Sequence, residues 1–431
     1  MSASTAGVSA NEIDAAPWRP VAFVAALALA WITLQPFPDL AAADALDLGS
    51  GRDTTTYLAF ASCAGFCLYL AALTDRPALR RLANAAYFGL AAWIGLCSVT
   101  SQDVSASLKR AALCGFVAIV AATAPLLPRG RAHLATLLAL AAGVLLALSY
   151  FGVIFMPHYA IHQASDVGEP ALTGDWRGVF GHKNAASAVF VFVGFIGIYV
   201  ARTGRAVTGA LIAGLSFLFL VFANGKTANM LWLPALTVCL FAARHGAAWT
   251  WRVAALAPFV ALNALGVGSV IFAPLASLVA SLPVDATFTG RTDVWRYALG
   301  KLAAHPILGY GFDAFWNTES VRFGTDDSAA WVAGAAHAHN GFVDAVLSMG
   351  VPGLVLALWA FVVQPLADIG KAARNGADPA LTTLLTQIWL FGLYVSSLES
   401  FLFDRSDPIW FTFLFAVFGL RYVSRFRTSP L

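Results

Sequence analysis

Apolar runs long enough to cross a bilayer, about 17 to 25 residues each, follow one another along almost the whole chain. They are read near 20–37, 57–74, 82–100, 111–127, 133–156, 186–201, 206–223, 227–243, 253–280, 341–364, 380–398 and 408–420. Hydrocarbon offers no water to satisfy a free peptide group, so such segments must be helical. The expected fold is all-α, a polytopic membrane protein with about 12 transmembrane helices. Composition agrees. Of 431 residues, 59% are hydrophobic and 11% charged, against roughly 25% charged in a soluble domain, and the mean hydropathy is +0.74. A soluble globular protein is excluded. The five cysteines, Cys63, Cys67, Cys97, Cys114 and Cys239, all lie in apolar stretches, where they act as small hydrophobes rather than as a disulfide framework or a zinc cluster.

Orientation follows from the connections, because Lys and Arg are retained on the cytoplasmic face. Alternate loops hold Arg76, Arg80, Arg81, Arg129, Arg131, Arg202, Arg205, Arg244, Arg252, Lys371 and Arg374, joined by Arg19 and the tail residues Arg421, Arg425 and Arg427. These 15 basic residues meet only Glu12, Asp14, Asp75, Asp368 and Asp378, leaving +10 on that face and −7 on the other, out of a total of +3. Both termini are therefore expected in the cytoplasm. The segment ahead of the first run lacks a basic n-region and a small-residue cleavage pattern, so it reads as a retained tail. The expected organisation is a cytoplasmic tail at 1–19, helices one to nine over 20–280, a periplasmic loop domain at 281–340, helices ten to twelve over 341–420 and a second tail at 421–431.

The outer loops 157–185 and 281–340 are the long ones, and long loops in compact proteins usually carry function. Within the second, TDVWRYALGKLAAH (292–305) places apolar residues at helical spacing up to His305-Pro306, predicting an amphipathic helix at the membrane surface. Gly309-Tyr310-Gly311 then turns the chain. The spans hold almost no charge, whereas ion-coupled transporters need ionisable groups at mid-depth. Lys226, Asp344 and Glu399 stand instead at outer helix ends.

Four outer segments carry cations and imidazoles: Trp176–Asn184, Asn224-Gly225-Lys226-Thr227, Gly290-Arg291-Thr292-Asp293 and His337-Ala338-His339-Asn340. Glycine beside a cation lets backbone approach a bulky anion, and Arg presents a fork of donors suited to phosphate oxygens. His339, at the mouth of a helix, is placed to accept a proton from a hydroxyl. Plainer readings stand beside these. Taken singly, Arg291 and Lys226 at helix ends read more readily as interfacial anchors. His337 and His339 are a weak metal pair. The aromatics of Gly-Phe-Asp-Ala-Phe-Trp (311–316) fit either a membrane belt or a sugar platform.

The stretch GRTDVWRYALGKLAAHPILGYGFDAFW (290–316), followed by AHAHNGFVDAVLSMGVPGL (336–354), resembles the O-antigen ligase and Wzy polymerase superfamily, most closely its ExoQ-type exopolysaccharide polymerases. That family's signature is His, then Asn, Ser or Gln, nine residues, Gly, two residues and Gly. Here it is met by His339, Asn340, residues 341–349, Gly350, Val351, Pro352 and Gly353. GVFGHKNAAS (178–187) is similar to the family's Gly-x-Phe-x-His-Lys-Asn element.

The resemblance implies a GT-C-like architecture and an inverting glycosyl transfer at the periplasmic face of the inner membrane. The donor would be an undecaprenyl-pyrophosphate-linked glycan, and no metal ion or other cofactor is implied. Carried over by motif, His339 matches the family's essential histidine and Arg291 the basic residue opening its large loop. Lys226 stands where many ligases have Arg, so a point charge replaces a bidentate clamp there. Arg177, His182, Lys183, Asn184, Asn340, Asp344, Tyr310 and Trp316 are the expected substrate-binding set, with Asn340 or Asp344 orienting His339. The acceptor would be a second carrier-linked glycan in a polymerase, which is favoured, or lipid A-core in a ligase. Membrane lipid and a chain-length regulator are the other expected partners, and nothing points to nucleic acid. A transporter or flippase for a lipid-linked substrate is the alternative from another class. It should line a polar path through mid-membrane, which these spans lack.

Overall fold

The computed structural model describes residues 17–41, 54–167, 169–245, 249–283, 285–316, 318 and 335–425. The outer parts of both expected tails, and residues 319–334 of the large loop, lie outside the described residues. Among the described residues the chain is all-helical apart from one isolated β-bridge, Ile161 with Trp176. It is a polytopic membrane protein. Among the described residues seven helices are long and apolar enough to cross a bilayer, up to eight if a bent pair counts as one span, and three more apolar helices are shorter.

Two compact units divide the chain: residues 1–83, 116–225 and 421–431, and residues 84–115 and 226–420. In the first unit, α1 (Trp18–Trp31), α2 (Thr54–Thr74) and α3 (Arg76–Leu82) precede α6 (Arg131–Phe155), α7 (Lys183–Arg202) and α8 (Ala206–Ala223). Helix α7 is its centre, with almost every residue from Ala186 to Val200 buried. Its backbone presses directly on α8. A Cβ on Gly197 would lie 2.5 Å from the Ala213 nitrogen, and one on Gly209 would lie 2.3 Å from the Ala201 nitrogen. Membrane helices achieve such close packing through small residues, because lipid supplies no hydrophobic drive between them.

The second unit contains α4 (Ala85–Val99) and the first part of α5 (Val104–Thr123), which runs on into the first unit. It continues with α9 (Lys226–His245), α10 (Trp249–Leu265), α11 (Val267–Ile271), α12 (Ala273–Ser281) and α13 (Arg291–Leu302). The run read as one span at 253–280 is thus three helices. Gly266 separates α10 from α11, and Phe272 takes extended dihedrals before Pro274, a residue that belongs in the first turn of a helix. Helix α14 (Gly341–Leu358) continues through a π-helical segment, Trp359–Val363, into α15 (Gln364–Arg374). At 34 residues it far exceeds the roughly 30 Å hydrocarbon thickness. Helix α16 (Pro379–Val395) is the unit's buried staff, packed on α9, α10 and α15, and α17 (Pro408–Val423) follows.

Candidate functional site

The head of α14 is built by hydrogen-bond accounting. Asn340 is its N-cap, wholly buried. Its Oδ1 accepts from the Phe342 and Val343 N–H groups at 3.0 and 3.1 Å, satisfying donors that a helix start leaves open. The Asn340 amide nitrogen donates to the Ser397 carbonyl at 2.9 Å and to Asn263 Oδ1 at 3.1 Å. Meanwhile the Gly341 N–H reaches the Ser396 carbonyl at 2.8 Å. The turn after α16 is thereby stitched to the head of α14. Asp344, one turn further in, accepts from Trp316 Nε1 at 2.7 Å, from the Ala338 N–H at 3.0 Å and from the Ser400 hydroxyl. Trp295 Nε1 holds the Ala338 carbonyl at 2.9 Å. With Ala338 fixed on both sides and the Asn340 N–H held by Ser400 at 3.0 Å, His339 is locked at φ 51. For a residue other than glycine that conformation costs about 1 kcal/mol or more, and it persists only where the surroundings over-determine it.

The stitching sets Glu399 against His339. Glu399 Oε1 accepts from Arg291 Nη2 at 3.1 Å and from Thr227 Oγ1 at 3.0 Å, while Oε2 lies 3.6 Å from His339 Nδ1. Burial alone would push this carboxyl's pKa up. His339 and the Arg291 guanidinium, with the Thr227 hydroxyl, more than offset that and hold it down at about 2. Arg291 opens α13 after Gly290, whose φ of 83 suits glycine alone. The two differ in exposure: the His339 side chain is 34% exposed, Glu399 only 13%. Nδ1 of His339 is buried toward the acid, and Nε2 makes no hydrogen bond among the described residues. Of Arg291's five donors, one is committed to Glu399 among the described residues. Lys226, the first residue of α9, is exposed beside Thr227.

The signature glycines now have a physical reason. Gly350 stands inside α14 at φ 66, and a Cβ there would lie 2.0 Å from the Ile307 carbonyl oxygen. The helix kinks, and Trp93 Nε1 of α4 takes the Met349 carbonyl at 2.9 Å. Gly353 leaves room for that indole, which a Cβ would approach to 3.1 Å. The chain after α13 is tied to the same place. The Tyr310 N–H donates to the Leu347 carbonyl and the Val351 N–H to the Pro306 carbonyl, each at 2.8 Å. Tyr310's hydroxyl donates to the Lys301 carbonyl at 2.9 Å. The polar atoms of Tyr310, Trp316, Asn340 and Asp344 are thus engaged inside the protein.

Four other expected residues lie in the first unit. Arg177 is fully buried, its Nη1 and Nη2 donating to the carbonyls of Phe180 at 3.1 Å and Pro38 at 2.9 Å. His182 caps α7, its Nδ1 accepting from the Asn184 N–H at 3.0 Å while Nε2 meets Glu169 at 2.7 Å. That histidine lowers the Glu169 pKa. Lys183 pairs with Asp175 and donates to the Asn224 carbonyl at 3.4 Å. A second imidazole, His162, accepts from the Lys183 N–H at 3.3 Å and holds Asp166 at 2.8 Å. Burial pushes the His162 pKa below its ordinary value, consistent with a neutral acceptor ring. The Asn184 side-chain amide alone of the four has no partner among the described residues.

A family model described as O-antigen ligase matches residues 189–358, from within α7 to the end of α14. Over those residues the chain is similar to the O-antigen ligase and Wzy polymerase superfamily. The exopolysaccharide production protein ExoQ of Rhizobium meliloti (strain 1021) is 30% identical over 98 residues, 22% of this chain and 22% of that protein. The chain therefore aligns with about a fifth of that curated relative. The matched stretch contains Lys226, Arg291 and His339 but stops short of Glu399, the carboxylate that faces Arg291 and His339. Glu399 is absent from the substrate-binding set read from sequence. Its one signal there is its position, a lone carboxylate closing an apolar run.

Proposed function

We propose that this protein is a glycosyltransferase of polysaccharide biosynthesis, working at the periplasmic face of the inner membrane with both termini in the cytoplasm. Its donor is an undecaprenyl-pyrophosphate-linked glycan. The observation that carries the proposal is the carboxylate of Glu399 facing both the guanidinium of Arg291 and the imidazole of His339. A lipid pyrophosphate is already a good leaving group, so the protein must receive its growing charge and place the acceptor hydroxyl in line. Arg291 is the fork for the pyrophosphate, and Lys226, next to Thr227 in the chain, is a point charge for it. His339 Nε2 takes the acceptor's proton as its oxygen bonds to the anomeric carbon and the carbon–oxygen bond to the pyrophosphate breaks. Such a base contributes about 10²–10⁴-fold. Glu399, toward Nδ1, keeps the ring in the tautomer that leaves Nε2 free, the role an aspartate plays in hydrolase triads.

Polymerase is the favoured activity, on the likeness to an exopolysaccharide production protein. Ligation to lipid A-core differs only in the acceptor. Purified protein in detergent is to be incubated with a carrier-linked repeat unit, alone and with lipid A-core, with and without chelator. A ladder without core identifies a polymerase, and one transfer that requires core identifies a ligase. Activity should survive chelation, and His339→Ala should lose about 10²–10⁴-fold in rate while inserting and folding normally. Near-wild-type product from that variant would sink the proposal.

A further inference from the structure

Glu399 has one hydrogen-bonded oxygen and one that waits. Oε1 is occupied by Arg291 and Thr227 at 3.1 and 3.0 Å. Oε2 stands 3.6 Å from His339 Nδ1, beyond hydrogen-bonding length, and Nδ1 is buried with no hydrogen-bond partner. We infer that Glu399 is a shared counter-ion, paired with Arg291 while the site is empty and passed to His339 when a donor's pyrophosphate draws Arg291 away. This deepens the proposed function and rests on its assignment of Arg291 to the pyrophosphate and His339 to the acceptor proton.

A pyrophosphate offers several charged oxygens to the guanidinium fork, and Glu399 holds it by a single N–H, so the exchange favours the donor. Once Arg291 turns, an acid only 13% exposed has lost its counter-charge where water cannot replace it. Thr227 stays on Oε1, and the donor facing Oε2 is the His339 Nδ1–H. A contraction of about half an ångström makes that a hydrogen bond. It fixes Nε2 as the acceptor and stabilises the imidazolium formed when the hydroxyl proton arrives on Nε2. The Nδ1 proton stays where it is, and Glu399 takes none. The base thus gains strength only with the donor in place. Glu399 is a positioning residue in this scheme, since it touches neither substrate.

Glu399→Gln tests this, because a neutral amide releases Arg291 and offers an N–H to Nδ1, favouring the wrong tautomer. Binding of farnesyl pyrophosphate and of inorganic pyrophosphate is titrated by calorimetry against wild type, beside turnover of a carrier-linked repeat. The two readouts should part: binding of either probe becomes several-fold tighter while turnover falls by about 10²-fold or more. A structural role alone would weaken both together, and that result, or wild-type turnover, overturns the inference. Should Glu399→Gln not fold, Glu399→Asp serves. One methylene shorter, it cannot serve both partners, so turnover should drop with binding retained, and wild-type behaviour again overturns the idea. If wild-type protein binds neither probe, or His339→Ala remains active, it is the proposed function that has failed instead.

Discussion

The two units each gather imidazoles, carboxylates and a cation, yet they use them oppositely. Around His162, His182 and Lys183, both ring nitrogens of each histidine are engaged and the lysine is paired. Around Glu399, by contrast, His339 keeps Nε2 and Arg291 keeps most of its donors. Identical residue types therefore build a clasp over the start of α7 in one unit and a cluster with open bonding capacity in the other. What separates them is bonding capacity left over once the fold is satisfied, not the inventory of polar groups.

The sharpest contrast is between the histidines. Replacing His339 with Ala should cut the rate per folded molecule by about 10²–10⁴-fold with little change in thermal stability. His182→Ala should do the reverse, costing about 1–2 kcal/mol as a lost cap while the folded fraction still turns over. A stable but inactive His182→Ala protein would break the comparison. Next in size are the asparagines. Asn340→Ala should lose about 2 kcal/mol or more, since it uncaps α14 and strands buried partners, whereas Asn184→Ala should melt like wild type. Equal losses in a denaturant series would show that the open amide is not open.

The smallest effect expected is in acid. The His162 pKa is lowered from 6.5 in the folded chain, so the unfolded chain binds more protons. Stability from this clasp is full above about 6.5 and is lost as pH falls from there through the lowered value. Glu399 is lowered from 4.5 to about 2. Its contribution survives to about 4.5 and disappears only toward 2. Hydrogen exchange should therefore show the Lys183 amide losing protection at a milder pH than the amide of Asn340. Simultaneous loss would mean the two clusters do not differ as described.

Much of this was legible because it lies in one stretch. Apolar runs placed most of the helices, the 292–305 pattern anticipated α13, and the His-Asn-x₉-Gly-x₂-Gly signature drew attention to the stretch that begins at His339. Less legible was what a polar residue does once placed. Beside His339, Asn340 looks in sequence like an orienter, and only the structure shows it as the N-cap of α14. Glu399 lies in a short turn far along the chain from Arg291 and His339. Only packing of α16 beside α10 and the stitching through Ser396, Ser397 and Ser400 bring it there. The break in 253–280 and the π segment at 359–363 have tertiary or subtle local causes that hydropathy does not register.

The kink at Gly350 makes the signature's nine-residue interval a ruler. Its foot is pinned by Trp93 and by the chain after α13, at Pro306 and Tyr310. From that shared foot two uprights rise side by side: α13, about 18 Å long, ending at Arg291, and the first half of α14, about 15 Å, ending at His339. Heights so nearly matched bring Arg291 and His339 level with one carboxylate. One residue added to either upright would lift its head by about 1.5 Å and swing it about 100°. The spacing is thus fixed by a length that must be met, even where the intervening side chains are free to vary.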